Sequence, residues 1–383
     1  MRARVLFVVA MLAALMAVPA GAEGVDNVIT CHKPGTAAEH TLSVAAKAVA
    51  AHVGHGDYIG ICESGPTTIG IAYDPLTPEA SSLYNDKVHE GAVAARDSFG
   101  IVLEETTPLP DANLGDVLEE LTDVGDLVIG TFFRYGAPLY AEANENSDTN
   151  YLLLDDCLAG QPIPSNLRSV LFATNEGAFL AGAAAALTSQ TGKVGFMGAL
   201  DFPVIEDFAI GFAAGAAHVD LNIEVQVRYL TVFPDFTGFD DPALAYSNAL
   251  EMYEGGVDVI EHAAGSSGFG LFDAARDFSN SKVTHVWAIG VDVDQYQGVG
   301  LDVQPHILTS VLKRYDVATF EAAAAQAGGT FTAGLETYDL ARNGLDYAQS
   351  GGFLNQHIAT LDQIKTDIAA GLIPVPGVDI PCG

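Results

Sequence analysis

The stretch Trp287-Ala-Ile-Gly-Val-Asp-Val-Asp-Gln295, followed by Ile307-Leu-Thr-Ser-Val-Leu-Lys313, decides the fold class of this 383-residue chain. Both segments are apolar runs rich in Val and Ile that end abruptly in polar residues. Such runs are typical of buried parallel strands, whose carboxyl ends open into the crevice where α/β proteins bind ligands. Asp292 and Lys313 are therefore placed to contact a polar small molecule. The alternative for Asp292 is a turn or helix cap.

The same alternation of short apolar runs and amphipathic stretches continues along most of the chain. The apolar runs predict strands at 69–73, 101–103, 127–129, 151–154, 170–172, 194–196, 223–229, 257–260, 286–289 and 307–308. Helical spacing lies between them, as at 82–99, 176–187 and 203–219. Strand and helix in alternation predict an α/β protein with doubly wound parallel sheets. About ten strands suit two lobes better than one sheet.

Four glycines lie inside helical patterns, where each costs about 1 kcal/mol relative to Ala. They are Gly177, Gly182, Gly211 and Gly215, and we expect them to permit close approach of helix to sheet. The run Ala263-Ala-Gly-Ser-Ser-Gly-Phe-Gly270 follows a strand and opens a helix, so its amides could meet a ligand. It lacks the spacing of a dinucleotide or phosphate loop.

The net charge of −33 excludes nucleic acid and anionic membrane surfaces as partners, because both would repel this protein. We interpret the excess of carboxylates as adaptation to salt, since counterions screen their repulsion.

The amino terminus has the features of a secretory signal peptide at residues 1–22. Arg2 and Arg4 precede an apolar run at 5–18, and Ala20-Gly-Ala22 supplies a small-residue cleavage pattern. A retained anchor is the alternative, but the run is short for a bilayer crossing of ~20 residues. We therefore expect an exported protein, periplasmic or at the cell surface.

Four cysteines in an exported chain are most simply two disulfides, Cys31 with Cys62 and Cys157 with Cys382, although three connectivities are open. Val28-Ile-Thr30 before Cys31 matches a lipid-attachment motif poorly.

Residues 24–65 form a compact segment of different composition. It contains Cys31-His-Lys-Pro-Gly35 and His52-Val-Gly-His-Gly-Asp57, and it resembles a short Cys/His module found on secreted bacterial proteins. His32, His52 and His55 are candidate metal ligands, because imidazole suits Zn and Cu. A polar turn beside paired cysteines is the simpler interpretation, so we expect no metal and no cofactor.

Several motifs downstream resemble, in order, the basic membrane protein family of solute-binding lipoproteins, whose members include a purine-nucleoside receptor of an ABC importer. The resemblance spans about residues 67–375. The motifs are Tyr151-Leu-Leu-Leu-Asp-Asp156, Pro162-Ile-Pro-Ser-Asn166, Phe172-Ala-Thr-Asn-Glu-Gly-Ala-Phe-Leu-Ala-Gly182, Thr191-Gly-Lys-Val-Gly-Phe-Met-Gly198, Phe208-Ala-Ile-Gly-Phe-Ala-Ala-Gly215, the run from Ala263 to Gly270, Ile289-Gly-Val-Asp-Val-Asp-Gln295 and Thr309-Ser-Val-Leu-Lys313.

The resemblance implies a type I periplasmic-binding fold, in which two lobes joined by a three-strand hinge close on a ligand. The solute-binding domain would cover residues 67–383. Its first lobe would hold about 67–165 plus 314–333, and its second lobe about 166–308 plus 334–383.

The resemblance also implies ligand contacts in the first lobe. Asp74 would face the cleft, unless it only caps its turn. Tyr84 and Asn85 stand where the family has Phe-Asn, so Tyr84 would stack on the base and Asn85 would donate to the nucleoside. Asp155 would accept from the N–H groups of the base edge, whereas Asp156 should point to the opposite face of its strand.

The second lobe and hinge would supply the other contacts. Phe233 would be a second aromatic that stacks on the base. Phe236 is an open alternative for this role, and an ordinary core position is the other alternative for Phe233. Amides at and around Gly268 would meet the ribose. Asp292 would accept from both ribose hydroxyls. Lys313 would donate to the sugar and neutralise cleft carboxylates, unless it only pairs with Asp292.

The function implied is capture of a purine nucleoside by a monomeric binding protein and its delivery to an ABC permease in the membrane, with no enzymatic step. The alternatives are a cell-surface sensor or binding protein for another sugar-like ligand and, less favoured, a nucleoside hydrolase. The Asp74 region lacks the carboxylate cluster that a hydrolase would need to hold calcium.

Overall fold

In a computed structural model, the chain divides into two units, residues 1–65 and residues 66–383. The structure describes residues 27–32, 40–59, 66–75, 78–158, 160–282, 284–380 and 382. The expected signal peptide and Cys62 lie outside these ranges, so the signal peptide and the Cys31–Cys62 disulfide stay predictions. No helix in the described ranges combines the length and apolar composition that a bilayer crossing needs.

Unit 1 is a small antiparallel sheet with one short helix. Its elements are β1 Asn27–His32, β2 His40–Ala45, α1 Val49–Gly54 and β3 Tyr58–Ile59. Strand β1 lies in the centre, between β2 and β3. The buried side chains described in this unit are Thr30 and Asp57, both polar.

The first lobe of unit 2 is a six-stranded parallel sheet with helices packed against it. Its strands are β4 Thr68–Ala72, β5 Val102–Thr106, β6 Leu127–Thr131, β7 Asn150–Leu154, β8 Leu167–Phe172 and β14 Gly334–Tyr338. Its helices are α2 Pro78–Phe99, α3 Leu114–Thr122, α4 Gly136–Glu145 and α9 Tyr315–Ala327. The strand order is β14-β8-β7-β6-β4-β5. Strand β6 is apolar and buried throughout, as expected for a parallel strand covered on both faces.

The second lobe has a similar sheet, ordered β10-β9-β11-β12-β13-β15. Its strands are β9 Lys193–Leu200, β10 Glu224–Thr231, β11 Val259–Ala263, β12 Trp287–Gly290, β13 Ile307–Lys313 and β15 Leu345–Tyr347. Its helices are α5 Thr174–Thr188, α6 Pro203–Val219, α7 Pro242–Glu254, α8 Gly268–Ser281 and α10 Ile358–Ala369. The pairings are parallel except that between β13 and β15. The apolar segments at 287–290 and 307–313 are thus the neighbouring parallel strands β12 and β13.

The chain passes between the two sheets three times, after β8, after β13 and after β14. Hydrogen bonds join the crossing segments: the amide of Ala173 donates to Tyr338 O at 3.0 Å, and the amide of Arg314 donates to Gly344 O at 2.9 Å. Two lobes connected by three adjacent segments confirm the predicted type I periplasmic-binding fold.

The predicted lobe boundaries are wrong at two strands. We placed 166–308 and 334–383 in the second lobe, but β8 pairs with β7, and β14 pairs with β8, in the first sheet. The chain crosses after β8 rather than before it, because β8 completes its backbone hydrogen bonds beside β7. Within the segment 314–333, which we placed in the first lobe, α9 packs on α2.

The helix glycines permit close packing, mostly of helix against helix. A Cβ on Gly182, Gly211 or Gly215 would overlap the backbone of the facing helix in the α5–α6 pair. Gly177 lies instead against Val311 of β13. Our expectation of helix-to-sheet approach therefore holds for Gly177 alone.

The C-terminal segment connects the lobes once more. Val378 donates its amide to Asp207 of α6 in the second lobe at 2.9 Å. Cys382 forms a disulfide with Cys157, which follows β7 of the first lobe, and their Cα atoms are 5.3 Å apart.

Candidate functional site

Lys313 lies at the centre of a cluster of charges drawn from both lobes. Its Nζ is 2.7 Å from Asp155 Oδ2 and 3.0 Å from Asp292 Oδ1. The side chains of Lys313 and Asp155 are 6% and 7% exposed, whereas that of Asp292 is 29% exposed. These three residues are called the Lys313 cluster below.

The fold brings the Lys313 cluster together at the carboxyl ends of parallel strands. Asp155 directly follows β7, Asp292 follows β12 by two residues, and Lys313 is the last residue of β13. The amide of Lys313 also donates to Asp292 O at 2.9 Å. Asp292 is therefore held beside the hinge strand β13.

Both carboxylates project from left-handed backbone. The φ angles of Asp155 and Asp292 are 63° and 67°. Asp tolerates this region better than most residues, yet such conformations persist only where surrounding structure holds them, which is common at ligand sites.

Charge in the cluster is unbalanced. Burial by itself lowers the pKa of the Lys313 ammonium, but Asp155 and Asp292 more than offset that effect, so its pKa lies above the ordinary value. Burial raises the pKa of Asp155, and the ammonium of Lys313 opposes that rise. One cation faces two acids, so the cluster has spare acceptor oxygens for a ligand that donates hydrogen bonds.

Aromatic rings line the cation. Lys313 Nζ lies 5.5 Å from the ring centroid of Phe208 and 6.0 Å from that of Phe172. Attraction to the ring faces contributes about 0.5–2 kcal/mol each and helps to keep the ammonium in its buried position.

Tyr84 packs among aromatic rings next to the cluster. Its ring centroid is 4.2 Å from that of Tyr315 and 5.3 Å from that of Phe132. Burial raises the pKa of its hydroxyl, and nearby carboxylates raise it further; these are Asp155, Asp74 and Asp292. The predicted Tyr84, Asp155, Asp74 and Asp292 thus share one neighbourhood. The hydroxyl of Tyr84 is buried and has no hydrogen-bond partner among the described residues.

Asn85 holds the loop of Asp74 in place. Its Nδ2 donates to Asp74 O at 3.1 Å, and its Oδ1 accepts from the Asp74 amide at 3.3 Å. An amide nitrogen has two hydrogens, and the hydrogen bonds among the described residues use one N–H of Asn85. Asp74 itself is 2% exposed.

The amides at and around Gly268 were predicted to meet a ribose, and this role stays a prediction. The amide of Gly268 itself donates to the carbonyls of Gly265 and Ser266. A side chain there would overlap the ring of the buried His262, whose Nε2 is 3.0 Å from Gln295 Oε1. The glycine is required by packing against His262.

Phe233 is exposed rather than part of the core. It is 56% exposed and stacks on Phe202 with ring centroids 5.9 Å apart, beside Phe236, which is 50% exposed. These aromatics follow β9 and β10 at the carboxyl edge of the second sheet. None of the described ring contacts of Phe233 is with the Lys313 cluster, so its role in stacking stays a prediction.

Two of the three candidate metal-binding histidines lie together, and the third does not join them. His32 and His52 meet at Asp57, and His55 lies outside this group of possible ligands within the described residues. This group of His32, His52 and Asp57 lies in unit 1, whereas the Lys313 cluster lies in unit 2.

Sequence reasoning missed two aromatic residues of the site. The hydroxyl of Tyr315 donates to Asp155 Oδ2 at 3.0 Å, and Phe132 has φ of 104°, unusual for a bulky residue. Tyr315 could have been noticed because it follows Lys313 by two residues, whereas nothing in the sequence marks Phe132. Asp156, the less favoured candidate, accepts the amides of Cys157 and Leu158 in its own turn.

Known proteins resemble this chain in sequence and fold. Residues 80–378 match the family described as Bmp, ABC transporter substrate-binding protein PnrA-like. Basic membrane protein A of Borreliella afzelii is 31% identical over 234 residues, covering 61% of this chain and 68% of that protein. The ABC transporter nucleoside-binding protein BmpA of Lactococcus lactis is 33% identical over 257 residues, covering 65% and 71%.

A solved structure agrees at the level of fold. The ABC transporter solute-binding protein structure from Aeropyrum pernix has a TM-score of 0.63 and 24% identity, and the match covers 81% of this chain and 94% of that one. The matched family model, the relatives and the two-lobed fold lead to one conclusion: the chain belongs to the Bmp family of PnrA-like ABC transporter substrate-binding proteins.

Proposed function

We propose that this protein binds a purine nucleoside between its two lobes and delivers it to the permease of an ABC importer. The observation that supports this most is the bridge by Lys313 between Asp155 of the first lobe and Asp292 of the second lobe. A ligand that replaces part of this bridge contacts both lobes at once, and such contacts favour the closed form that a permease would recognise.

The chemistry of the Lys313 cluster favours a neutral ligand rich in hydrogen-bond donors. A purine nucleoside offers N–H groups at the base edge and two vicinal hydroxyls on the ribose. In our proposal Asp155 accepts from the base edge and Asp292 accepts from the hydroxyls. A nucleotide would bring a phosphate to a site with one net negative charge, so we expect it to be rejected.

Tyr84 and the exposed phenylalanines of the second lobe also support a purine nucleoside as the ligand. Buried hydroxyls are nearly always hydrogen-bonded, so the hydroxyl of Tyr84 is available to a ligand or an ordered water. Tyr84 is only 7% exposed and packs against Tyr315 and Phe132 of its own lobe, so a base that stacks on it must displace part of this packing. The exposed Phe233 or Phe236 would then cover the base from the second lobe.

The relatives narrow the alternatives. The family consists of substrate-binding proteins rather than enzymes, which removes a nucleoside hydrolase. The Lactococcus lactis relative is named for nucleoside binding, which supports a nucleoside over a free sugar. Binding proteins of ABC transporters act outside the cytoplasm, and we propose that this one works as a monomer beside its permease.

Isothermal titration of the ligand-free mature protein tests the proposal. We expect one site for adenosine, guanosine or inosine, and no binding of cytidine or of the corresponding nucleotides. Binding of free ribose or another sugar without any binding of purine nucleosides would overturn the proposal in favour of a sugar receptor.

A further inference from the structure

A second cluster of ligand-type side chains lies in unit 1, which the proposed function does not use. The Nδ1 atoms of His32 and His52 each lie 2.7 Å from Asp57 Oδ2. One possible ligand atom from each of the three residues lies within 4.8 Å of the others. Asp57 is 1% exposed, while the imidazoles are 25% and 26% exposed.

Three separate elements bring these side chains together. His32 is the last residue of β1, His52 lies in α1, and Asp57 directly precedes β3. Because Cys31 pairs with Tyr58 in the sheet, the register places Asp57 next to His32. The arrangement is therefore set by the fold of the unit rather than by sequence proximity alone.

Few of the described side chains of unit 1 are buried. Its described buried side chains are Thr30 and Asp57, and α1 buries no residue. Units of this size cannot form a sufficient apolar core and usually depend on disulfides or a metal. Two imidazoles that converge on one buried carboxylate oxygen bring three ligand-type atoms within reach of a single cation.

We propose that His32, His52 and Asp57 bind one divalent transition metal ion, and that Zn²⁺ is the ion this ligand set suits. Two imidazole nitrogens and one carboxylate oxygen match zinc sites that leave a fourth position for water or an external ligand. The partial exposure of both imidazoles places that fourth position toward solvent. His55 is not a ligand. This site is independent of nucleoside binding.

Metal titration of the chelator-treated mature protein tests the site. Zn²⁺ is added against a chromophoric competitor in excess Ca²⁺, which occupies nonspecific sites on the acidic surface. We expect one tightly bound Zn²⁺ in the wild type and in the control His55→Ala. His52→Ala and Asp57→Asn should each weaken binding at least tenfold, the usual lower bound for losing a metal-site group.

X-ray absorption of the zinc-loaded wild type gives a readout that no variant can confound by unfolding. We expect two imidazole nitrogens with oxygen neighbours in the zinc shell. Absence of stoichiometric zinc uptake, sulfur in the zinc shell, or unchanged affinity in both His52→Ala and Asp57→Asn would overturn the proposal and leave a hydrogen-bonded His–Asp–His group.

Discussion

At the scale of single residues, the two acids beside Lys313 are not equivalent. Asp155 is buried, and its carboxylate accepts hydrogen bonds from both Lys313 and Tyr315. Asp292 is more exposed and has fewer constraints. We therefore infer that Asp155 has a structural as well as a ligand-binding role, and that Asp292 mainly serves the ligand.

Asp292→Ala should leave folding intact and raise the Kd for a purine nucleoside at least about 100-fold. Each hydrogen bond to a charged group contributes about 1.5–3 kcal/mol, and two would be lost. Calorimetry measures the Kd, and circular dichroism measures the thermal unfolding of the variant. The control Asp302→Ala removes an exposed acid paired with Arg276 and should change neither. Unchanged affinity in Asp292→Ala would show that the ribose site is misplaced.

Lys313→Met should destabilise the protein by roughly 3–5 kcal/mol, because removing one partner of a buried ion pair leaves the other charge uncompensated. Urea unfolding measures this loss. The double variant Lys313→Met, Asp155→Asn should recover part of it, since no buried charge then remains unpaired. Equal losses in the single and double variants would mean that the ion pair contributes little.

The residues of the Lys313 cluster could be predicted because each follows an apolar run that the sequence makes visible and lies within a motif of the family. Tyr315 and Phe132 could not be predicted in the same way. Their roles depend on tertiary contacts with Asp155 and Tyr84 and, for Phe132, on an unusual backbone angle. The packing of Gly268 against the buried ring of His262 could not be predicted either, because it depends on a tertiary contact.

At the scale of elements, the sequence predicted long buried strands and amphipathic helices well. Helix α6 begins and ends where its pattern does, at Pro203–Val219. Strands β14 and β15 were missed because they are short and contain charged residues, Glu336 and Asp346, so neither forms an apolar run. Their positions depend on pairing with distant strands, which periodicity does not reveal.

Gly215→Ala tests the contact between α5 and α6. A methyl group there overlaps the backbone of Phe179, so we expect a loss of about 1–3 kcal/mol from overpacking. The matched control is Gly115→Ala in α3, where the new Cβ would make an ordinary contact 3.4 Å from Asn113 Oδ1. The control should be neutral or stabilising. Similar stability changes in both variants, measured by urea unfolding, would argue against close helix packing.

Glu261 of β11 predicts a pH-dependent stability. It is fully buried, neither carboxylate oxygen has a hydrogen-bond partner among the described residues, and burial raises its pKa well above the ordinary value. The folded state therefore keeps a proton that the unfolded state releases as the pH rises above about 4.5, its ordinary pKa. The free energy of unfolding therefore falls as the pH rises, by up to about 1.4 kcal/mol per pH unit.

Glu261→Gln removes this titration without changing the shape of the side chain. The free energy of unfolding of the variant, relative to that of the wild type, should therefore increase between pH 5 and pH 7. Urea unfolding across this range provides the comparison. Parallel pH profiles for the two proteins would show that Glu261 is already ionised or otherwise compensated in the folded state.

At the scale of the whole unit 2, the lobes meet at more than the Lys313 cluster. Helix α2 of the first lobe approaches residues 295–298 of the second, where Leu83 lies against Gly298. The C-terminal segment and its disulfide add a connection beyond the three crossings. The fold class could be predicted from strand and helix alternation, but the lobe boundaries could not, because they depend on which strands pair.

A crystal structure of the mature protein with a bound purine nucleoside tests the central claim most directly. We expect the base edge within hydrogen-bond distance of Asp155 and both ribose hydroxyls on Asp292, with Lys313 beside the sugar. A nucleoside bound elsewhere on the molecule, or an empty cleft at saturating nucleoside, would contradict it.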